Sequence, residues 1–282
     1  MPSTNYAYVN GRFVPEKEAT VSIFDRGFLY GDGVFETMRV YGGKIFRLKQ
    51  HLQRLRKGQE RLKIDITEDG YSELFTELIA RNGVNEGVVR LYVTRGVGDG
   101  TWSPKTVNGP TVVALAGQRS FESDPRGLRL IVSSVYVSEH ALLADLKTAN
   151  RLPYVLAKLE AEQAGADEAV ILNENGWVMD CSAANIFAIM NDKLFTPSLY
   201  EGALPGIAKC VVLELAAKLE LPVDECGVQP SFLEESDELF VTSSSLEVAP
   251  VAEFNGKTLL SHTITHRLRA AYRQLVCEEL LL

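Results

Sequence analysis

At 282 residues the chain exceeds the roughly 100–200 residues of an ordinary domain, so one large or two closely packed domains are expected. Its 46% hydrophobic and 23% charged content excludes disorder and a fibrous repeat, and a net charge of −8 argues against nucleic acid, whose phosphates are held by basic surfaces. No apolar run approaches the ~20 residues of a membrane helix, and the opening Met1-Pro2-Ser3-Thr4 lacks the basic and apolar segments of a secretory signal, so a cytoplasmic protein without membrane contact is expected.

The amino end predicts a sheet. Tyr6–Val9 and Arg12–Val14 flank Asn10-Gly11, a strong two-residue hairpin signal. Val34–Val40 alternates and turns at Gly42-Gly43 into Lys44–Phe46, a second hairpin. Leu48, Leu52, Leu55, Gln59 and Leu62 recur at helical spacing, which predicts a helix over 48–62 with Arg54, Arg56 and Lys57 off the centre of its apolar face. A second helix is expected over about 67–81, then strands at Gly87–Arg95 and Thr111–Ala116. Residues 119–127, polar with Pro125 and Gly127, read as a linker between an α+β domain over 1–118 and a mixed α/β domain over 128–282. In the latter, strands at 128–136, 168–173, 185–190 and 238–242 alternate with helices near 152–164, 207–219 and 263–280.

Several common chemistries lack their anchors. No glycine-rich nucleotide loop, His-Glu-x-x-His or Gly-x-Ser-x-Gly elbow occurs. Cys181, Cys210, Cys226 and Cys277 are widely spaced with no histidine at metal-ligand distance in sequence, so they are expected to be reduced thiols, mostly core, with no structural metal. Lys147 stands just before a helix whose apolar face reads Leu152, Val155, Leu156 and Leu159. A lysine there is ordinarily a solvated surface residue, so only its context can give it chemistry.

That context is KTANRL at 147–152, GADEAVILN at 165–173 and GWVMDCSAANIF at 176–187, with FDRGFLYGDGVFE at 24–36, HLQRL at 51–55, LPGI at 204–207 and ELFVTSSSLEVAP at 238–250 in the same order. Together these runs cover nearly the whole chain and resemble the class IV aminotransferases. The resemblance implies a two-domain α+β fold of the D-amino-acid-aminotransferase type (fold type IV), with sheet and helix mixed in both domains. It also implies pyridoxal 5'-phosphate as cofactor, small amino and oxo acids as substrates, and a homodimer with active sites at the domain boundary. Pyridoxal phosphate is an electron sink for the proton lost from an amino acid's Cα, and it needs a lysine both to hold it and to move that proton. By resemblance that lysine is Lys147, as a Schiff base. Arg54 would grip the phosphate with its guanidinium. Ile207 and Ala208 would offer it backbone N–H groups at a helix start, and Ser243 and Ser244 their hydroxyls. Asp180 falls where the family has the glutamate that faces the ring nitrogen, and is shorter by one methylene; Ala208 and Ser244 fall where the family commonly has threonine. Tyr30, Phe35, Thr37, Arg90 and Ser245 fall at substrate-pocket positions.

Three subfamilies share this machinery. Branched-chain enzymes usually carry Phe-Glu-Gly-Ile-Arg and Tyr-x-Arg, where this chain has Phe35-Glu36-Thr37-Met38-Arg39 and Val88-Val89-Arg90. D-amino-acid enzymes place Arg-x-His after the Thr94-Arg95-Gly96 position, where this chain runs Val97-Gly98-Asp99-Gly100. Aminodeoxychorismate lyases resemble it at Phe35-Glu36-Thr37, at Asn150-Arg151-Leu152 and over 181–185. A branched-chain-like aminotransferase is the expectation, with 4-amino-4-deoxychorismate lyase, which releases pyruvate and 4-aminobenzoate, as the alternative and a non-catalytic cofactor-binding protein as a third reading.

Overall fold

A computed structural model of the protein describes residues 5–65, 70–121, 126–138, 143 and 145–282. The chain forms two compact units. The first is Met1–Phe121 together with Leu146–Arg151 and Leu280–Leu282; the second is Glu122–Asp145 and Leu152–Glu279. The segment that carries Lys147 is therefore part of the first unit, although it follows the first long strand of the second in sequence.

The first unit contains β1 (Tyr6–Val9), β2 (Arg12–Pro15), α1 (Arg26–Tyr30), β3 (Gly33–Tyr41), β4 (Lys44–Ile45), α2 (Leu48–Leu62), α3 (Tyr71–Arg81), β5 (Gly87–Thr94) and β6 (Thr111–Gln118). Its sheet runs β2-β1-β6-β5-β3-β4 with every neighbour antiparallel. Asn10 and Gly11 both take positive φ, as the expected tight hairpin demands. Strand periodicity sorts β3 into two faces. Val34, Met38 and Val40 join Val89, Leu91 and Val93 of β5 in a core closed by Leu55 of α2 and by Phe75 and Leu78 of α3. Helix α2 comes so close that a Cβ on Gly58 would stand 2.8 Å from Val34 Cγ1, which is why the position is glycine. The buried stripe of α2 is His51, Leu55, Gly58 and Gln59 rather than the leucine row alone. The second helix starts later than the expected 67: Gly70 precedes it at φ +138°, and Tyr71 is its first residue; 66–69 lie outside the described residues.

The second unit contains β7 (Leu128–Val137), α4 (Leu152–Gln163), β8 (Glu168–Asn173), β9 (Val178–Cys181), β10 (Asn185–Met190), β11 (Lys193–Pro197), α5 (Ile207–Lys218), β12 (Val223–Cys226), α6 (Pro230–Glu235), β13 (Glu238–Ser243), β14 (Glu247–Phe254), β15 (Lys257–Thr258) and α7 (Thr263–Leu280). The sheet order is β12-β11-β10-β13-β14-β7-β8-β9, with β15 paired to β14. The β7/β8, β11/β12 and β14/β7 pairs are parallel, the first two joined through α4 and α5. Strand β8 is buried along its whole length, as its unbroken Ala169-Val170-Ile171-Leu172 run anticipates for a strand covered on both faces.

Two expectations are corrected here. The face of α4 that packs inward is Ala157 and Ala161 against Ala169 and Ile171. Leu152, Val155, Leu156 and Leu159, the apolar face of the helix in sequence, are 67%, 58%, 46% and 47% exposed. Small side chains let the helix lie close on β8, which turns its larger apolar residues outward. Of the four cysteines only Cys181 is core; Cys210 and Cys277 are exposed and Cys226 is partly buried, and all four are free.

Candidate active site

In the first unit, Lys147 sits on a segment held to the start of β3. Phe35 donates its backbone N–H to Lys147 O at 3.0 Å, Ala149 N–H donates to Gly33 O at 2.8 Å, and Thr148 bridges Val34. Arg151 closes the turn by donating to Leu146 O and Thr148 O. Gly31, at φ +66°, lets this turn come within 2.9 Å of where its Cβ would be. The backbone at Lys147 is thus fixed from both sides, and its half-buried side chain places Nζ 4.6 Å from the centre of the Phe35 ring.

Phe35 and Thr37 occupy the face of β3 opposite the core, directly across from Tyr92 and Arg90 of β5. Phe35 and Tyr92 stack with centroids 5.5 Å apart. Tyr30, at the end of α1, donates to Gly100 O at 2.6 Å and stacks on Trp102 at 4.8 Å. Arg26 fixes that loop by donating to Thr101 O and Trp102 O while Asp32 accepts from its Nε.

The core face of β3 carries a charge that the sequence reading passed over. Glu36 is fully buried and accepts from Arg54 Nε at 2.8 Å, Arg54 Nη2 at 2.7 Å and His51 Nδ1 at 2.7 Å. His51 and Arg54 are three apart on α2, hence on one helix face. Burial pushes the Glu36 carboxyl up, but the Arg54 charge and hydrogen bonds, with those of His51, more than offset it and hold it at about 2. Burial lowers the His51 pKa against the opposing pull of Glu36, so the imidazole is neutral at pH 7 and Nδ1 is its donor to Glu36. Arg54, read from spacing as off the helix's apolar centre, is drawn inward by this carboxylate to 10% side-chain exposure. The visible signal was a glutamate in the apolar register of Val34, Met38 and Val40.

In the second unit, Asp180 lies within β9 as a buried carboxylate whose Oδ1 accepts from Asn185 Nδ2 and whose Oδ2 accepts from Leu204 N, both at 2.7 Å. Helix α5 opens at Ile207 behind Gly206, with no side chain capping its first N–H groups; Ala208 is buried in that first turn. Such an end favours an anion through its unpaired donors and its dipole. Ser243 closes β13, and its Oγ accepts from Leu246 N at 3.2 Å, so it shapes a turn that contains Ser244 and Ser245. Glu247, just beyond, takes φ +58° and is held by Arg273 at 2.9 Å.

Taken unit by unit, the chemistry of these residues fits pyridoxal phosphate: an anchored amine and a guanidinium oriented by a buried carboxylate in the first, and a buried carboxylate that accepts from two N–H groups and a helix start open to an anion in the second. Comparison with known proteins agrees. The profile of amino-transferase class IV matches residues 33–254. This chain is a class IV aminotransferase. A Methanocaldococcus jannaschii protein bearing the name of a branched-chain-amino-acid aminotransferase is 38% identical over 274 residues, 95% of each chain. The D-alanine aminotransferase of Listeria monocytogenes is 34% identical, covering 88% of this chain and 87% of its own. The structure of the branched-chain aminotransferase of Thermoproteus uzoniensis with norvaline superposes with a TM-score of 0.90 at 28% identity, over 97% of this chain and 95% of that one. As a member of this family the enzyme is a pyridoxal-phosphate-dependent aminotransferase with the α+β architecture expected from the sequence. No helix among the described residues is long and apolar enough to cross a membrane.

Proposed function

We propose that this aminotransferase moves the amino group between a branched-chain-type L-amino acid and a 2-oxo acid, with Lys147 as the residue that holds the cofactor. The observation that carries the reading is Lys147 itself: its backbone is pinned to β3 and its Nζ stands over the Phe35 ring. When bound, the cofactor supplies an electron sink for cleavage of the Cα–H bond. The Lys147 amine would hold the cofactor and, as a free base, would move the proton at the substrate Cα. Arg54, held by Glu36, would offer the phosphate its guanidinium from the first unit, and Ile207 and Ala208 their backbone N–H groups and Ser243 and Ser244 their hydroxyls from the second. Asp180 would pair with the ring nitrogen and keep it protonated. Tyr30, Phe35, Thr37 and Arg90 of the first unit and Ser245 of the second would contact the substrate, and the apolar Phe35 and Tyr92 rings suit an aliphatic side chain.

The branched-chain preference is supported by the M. jannaschii relative, which matches more of this chain at higher identity than the Listeria D-alanine enzyme. It is also supported by the loop 97–102, where the Arg-x-His of the D-amino-acid enzymes is replaced. We further infer a homodimer, since four leucine and valine side chains on one helix form an apolar surface that a second copy would cover. Four free thiols support a cytoplasmic setting, where such thiols stay reduced.

The test is a substrate panel on the holoenzyme. L-Leucine with 2-oxoglutarate is expected to yield L-glutamate and the branched oxo acid, with D-alanine inactive. Release of pyruvate and 4-aminobenzoate from aminodeoxychorismate, without amino-group transfer from any amino acid, would instead assign the lyase reaction.

A further inference from the structure

Asn185 joins three segments of the second unit that the proposed function brings to one cofactor. Its side chain is buried, and its amide has two N–H groups, both used. Nδ2 donates to Asp180 Oδ1 at 2.7 Å and to Leu204 O at 2.9 Å. Leu204 completes the triangle by donating its own N–H to Asp180 Oδ2 at 2.7 Å, and Gly206 N–H donates to Leu204 O at 2.7 Å. Because a carboxylate and a carbonyl both accept, only one orientation of the amide satisfies them. On the opposite side, the backbone of Asn185 pairs in register with Thr242, the residue before Ser243. The glycine at 206 follows from the same contact, since a Cβ there would stand 1.9 Å from Asn185 Oδ1.

We infer that Asn185 is a positioning residue: it sets the Asp180 carboxylate and the Leu204–Gly206 turn that opens α5 relative to one another, so that the ring-nitrogen and phosphate ends of the cofactor site are fixed by one side chain. This rests on the cofactor roles proposed above for Asp180 and Ile207. The physical need is specific to this chain. An aspartate has one methylene and one side-chain torsion fewer than a glutamate, so it has less freedom to adjust its reach. Its two oxygens therefore stay where Asn185 and Leu204 hold them. Without the amide, Oδ1 loses that hydrogen bond and the 204–206 turn loses the tie that aligns the first N–H groups of α5.

The experiment measures pyridoxal phosphate affinity, thermal stability without cofactor, and kcat and KM, for wild type, Asn185→Ala, Asn185→Asp, Gly206→Ala and the control Thr196→Val. The control removes the buried bond from Thr196 Oγ1 to Ile186 O, on the same strand as Asn185 but away from Asp180. Asn185→Ala and Gly206→Ala are expected to bind the cofactor about ten-fold more weakly, as for loss of a hydrogen bond to a charged group. Asn185→Asp is expected to bind more weakly still, because it sets carboxylate against carboxylate. In all three kcat falls more than KM changes, whereas Thr196→Val lowers stability and leaves affinity and kcat near wild type. Should Asn185→Ala fail to fold, Gly206→Ala carries the same expectation with the asparagine present. Wild-type affinity and kcat in folded Asn185→Ala or Gly206→Ala would overturn the positioning role and leave the proposed function standing. A wild-type protein that does not bind pyridoxal phosphate would overturn both.

Discussion

Glu36→Gln is the most informative single change in the first unit, because the structure fixes both its size and its pH dependence. The wild-type carboxyl ionises at about 2 against an ordinary 4.5. At 1.36 kcal/mol per unit this gap amounts to about 3 kcal/mol of stability at pH 7. Glutamine keeps the shape and behaves as the neutral acid, so the variant should lose about 3 kcal/mol, or roughly 6–12 °C in Tm for a chain of this size. The sign follows from the depressed pKa: the contribution is complete above about pH 4.5, where the unfolded carboxyl is ionised, and is lost as the pH falls toward 2. The difference between wild type and variant should therefore shrink to less than half its pH 7 size by pH 3. Urea unfolding of the cofactor-free proteins, followed by far-ultraviolet circular dichroism at pH 7, 5 and 3, measures it. A difference below about 1 kcal/mol at pH 7, or one that does not change between pH 7 and pH 3, would refute the charge assignment of the Glu36–His51–Arg54 cluster.

Other consequences are equally specific. His51, kept neutral by burial, resists the proton that the unfolded imidazole takes up, so its contribution is lost as pH falls below about 6.5; His51→Gln should flatten the stability profile between pH 6.5 and 5, and an unchanged slope would contradict this. Gly96→Ala should cost about 2 kcal/mol or more, since Gly96 has φ +110° and its Cβ would stand 1.9 Å from Gly109 O; urea unfolding at wild-type stability would show that the loop yields. Leu156→Glu, on the exposed face of α4, should convert the proposed dimer to a monomer in size-exclusion chromatography with light scattering, while a variant that remains dimeric would contradict an interface on that face.

How much of this was readable beforehand depended on the kind of signal. Strands β8 and β10 were legible to the residue because each is a short apolar run between turn residues. Helices α5 and α7 were legible from their length and periodicity. Strands β9, β12 and β14 were not assigned, since Asp180, Asp224 and Pro250 interrupt the patterns that mark a strand. Helix α4 misled because periodicity identifies an apolar face without saying whether it turns to a core or to a surface; the two alanines beneath it decide that. The Lys147 segment was legible only through its resemblance to a family, as nothing local to 145–151 separates it from a surface turn. Glu36 and Asn185 were missed for a different reason: each acts through a neighbour from a distant segment, Arg54 or Asp180, and sequence order does not show who meets whom.

The central claim is that Lys147 is the covalent anchor of the cofactor. The direct measurement is borohydride reduction of the protein with pyridoxal phosphate, followed by peptide mass spectrometry, on wild type and Lys147→Ala side by side. The account predicts one pyridoxyl-modified peptide, spanning Lys147, in wild type and none in the variant. A modification carried instead by Lys158 or Lys209, or equal labelling of Lys147→Ala, would contradict it.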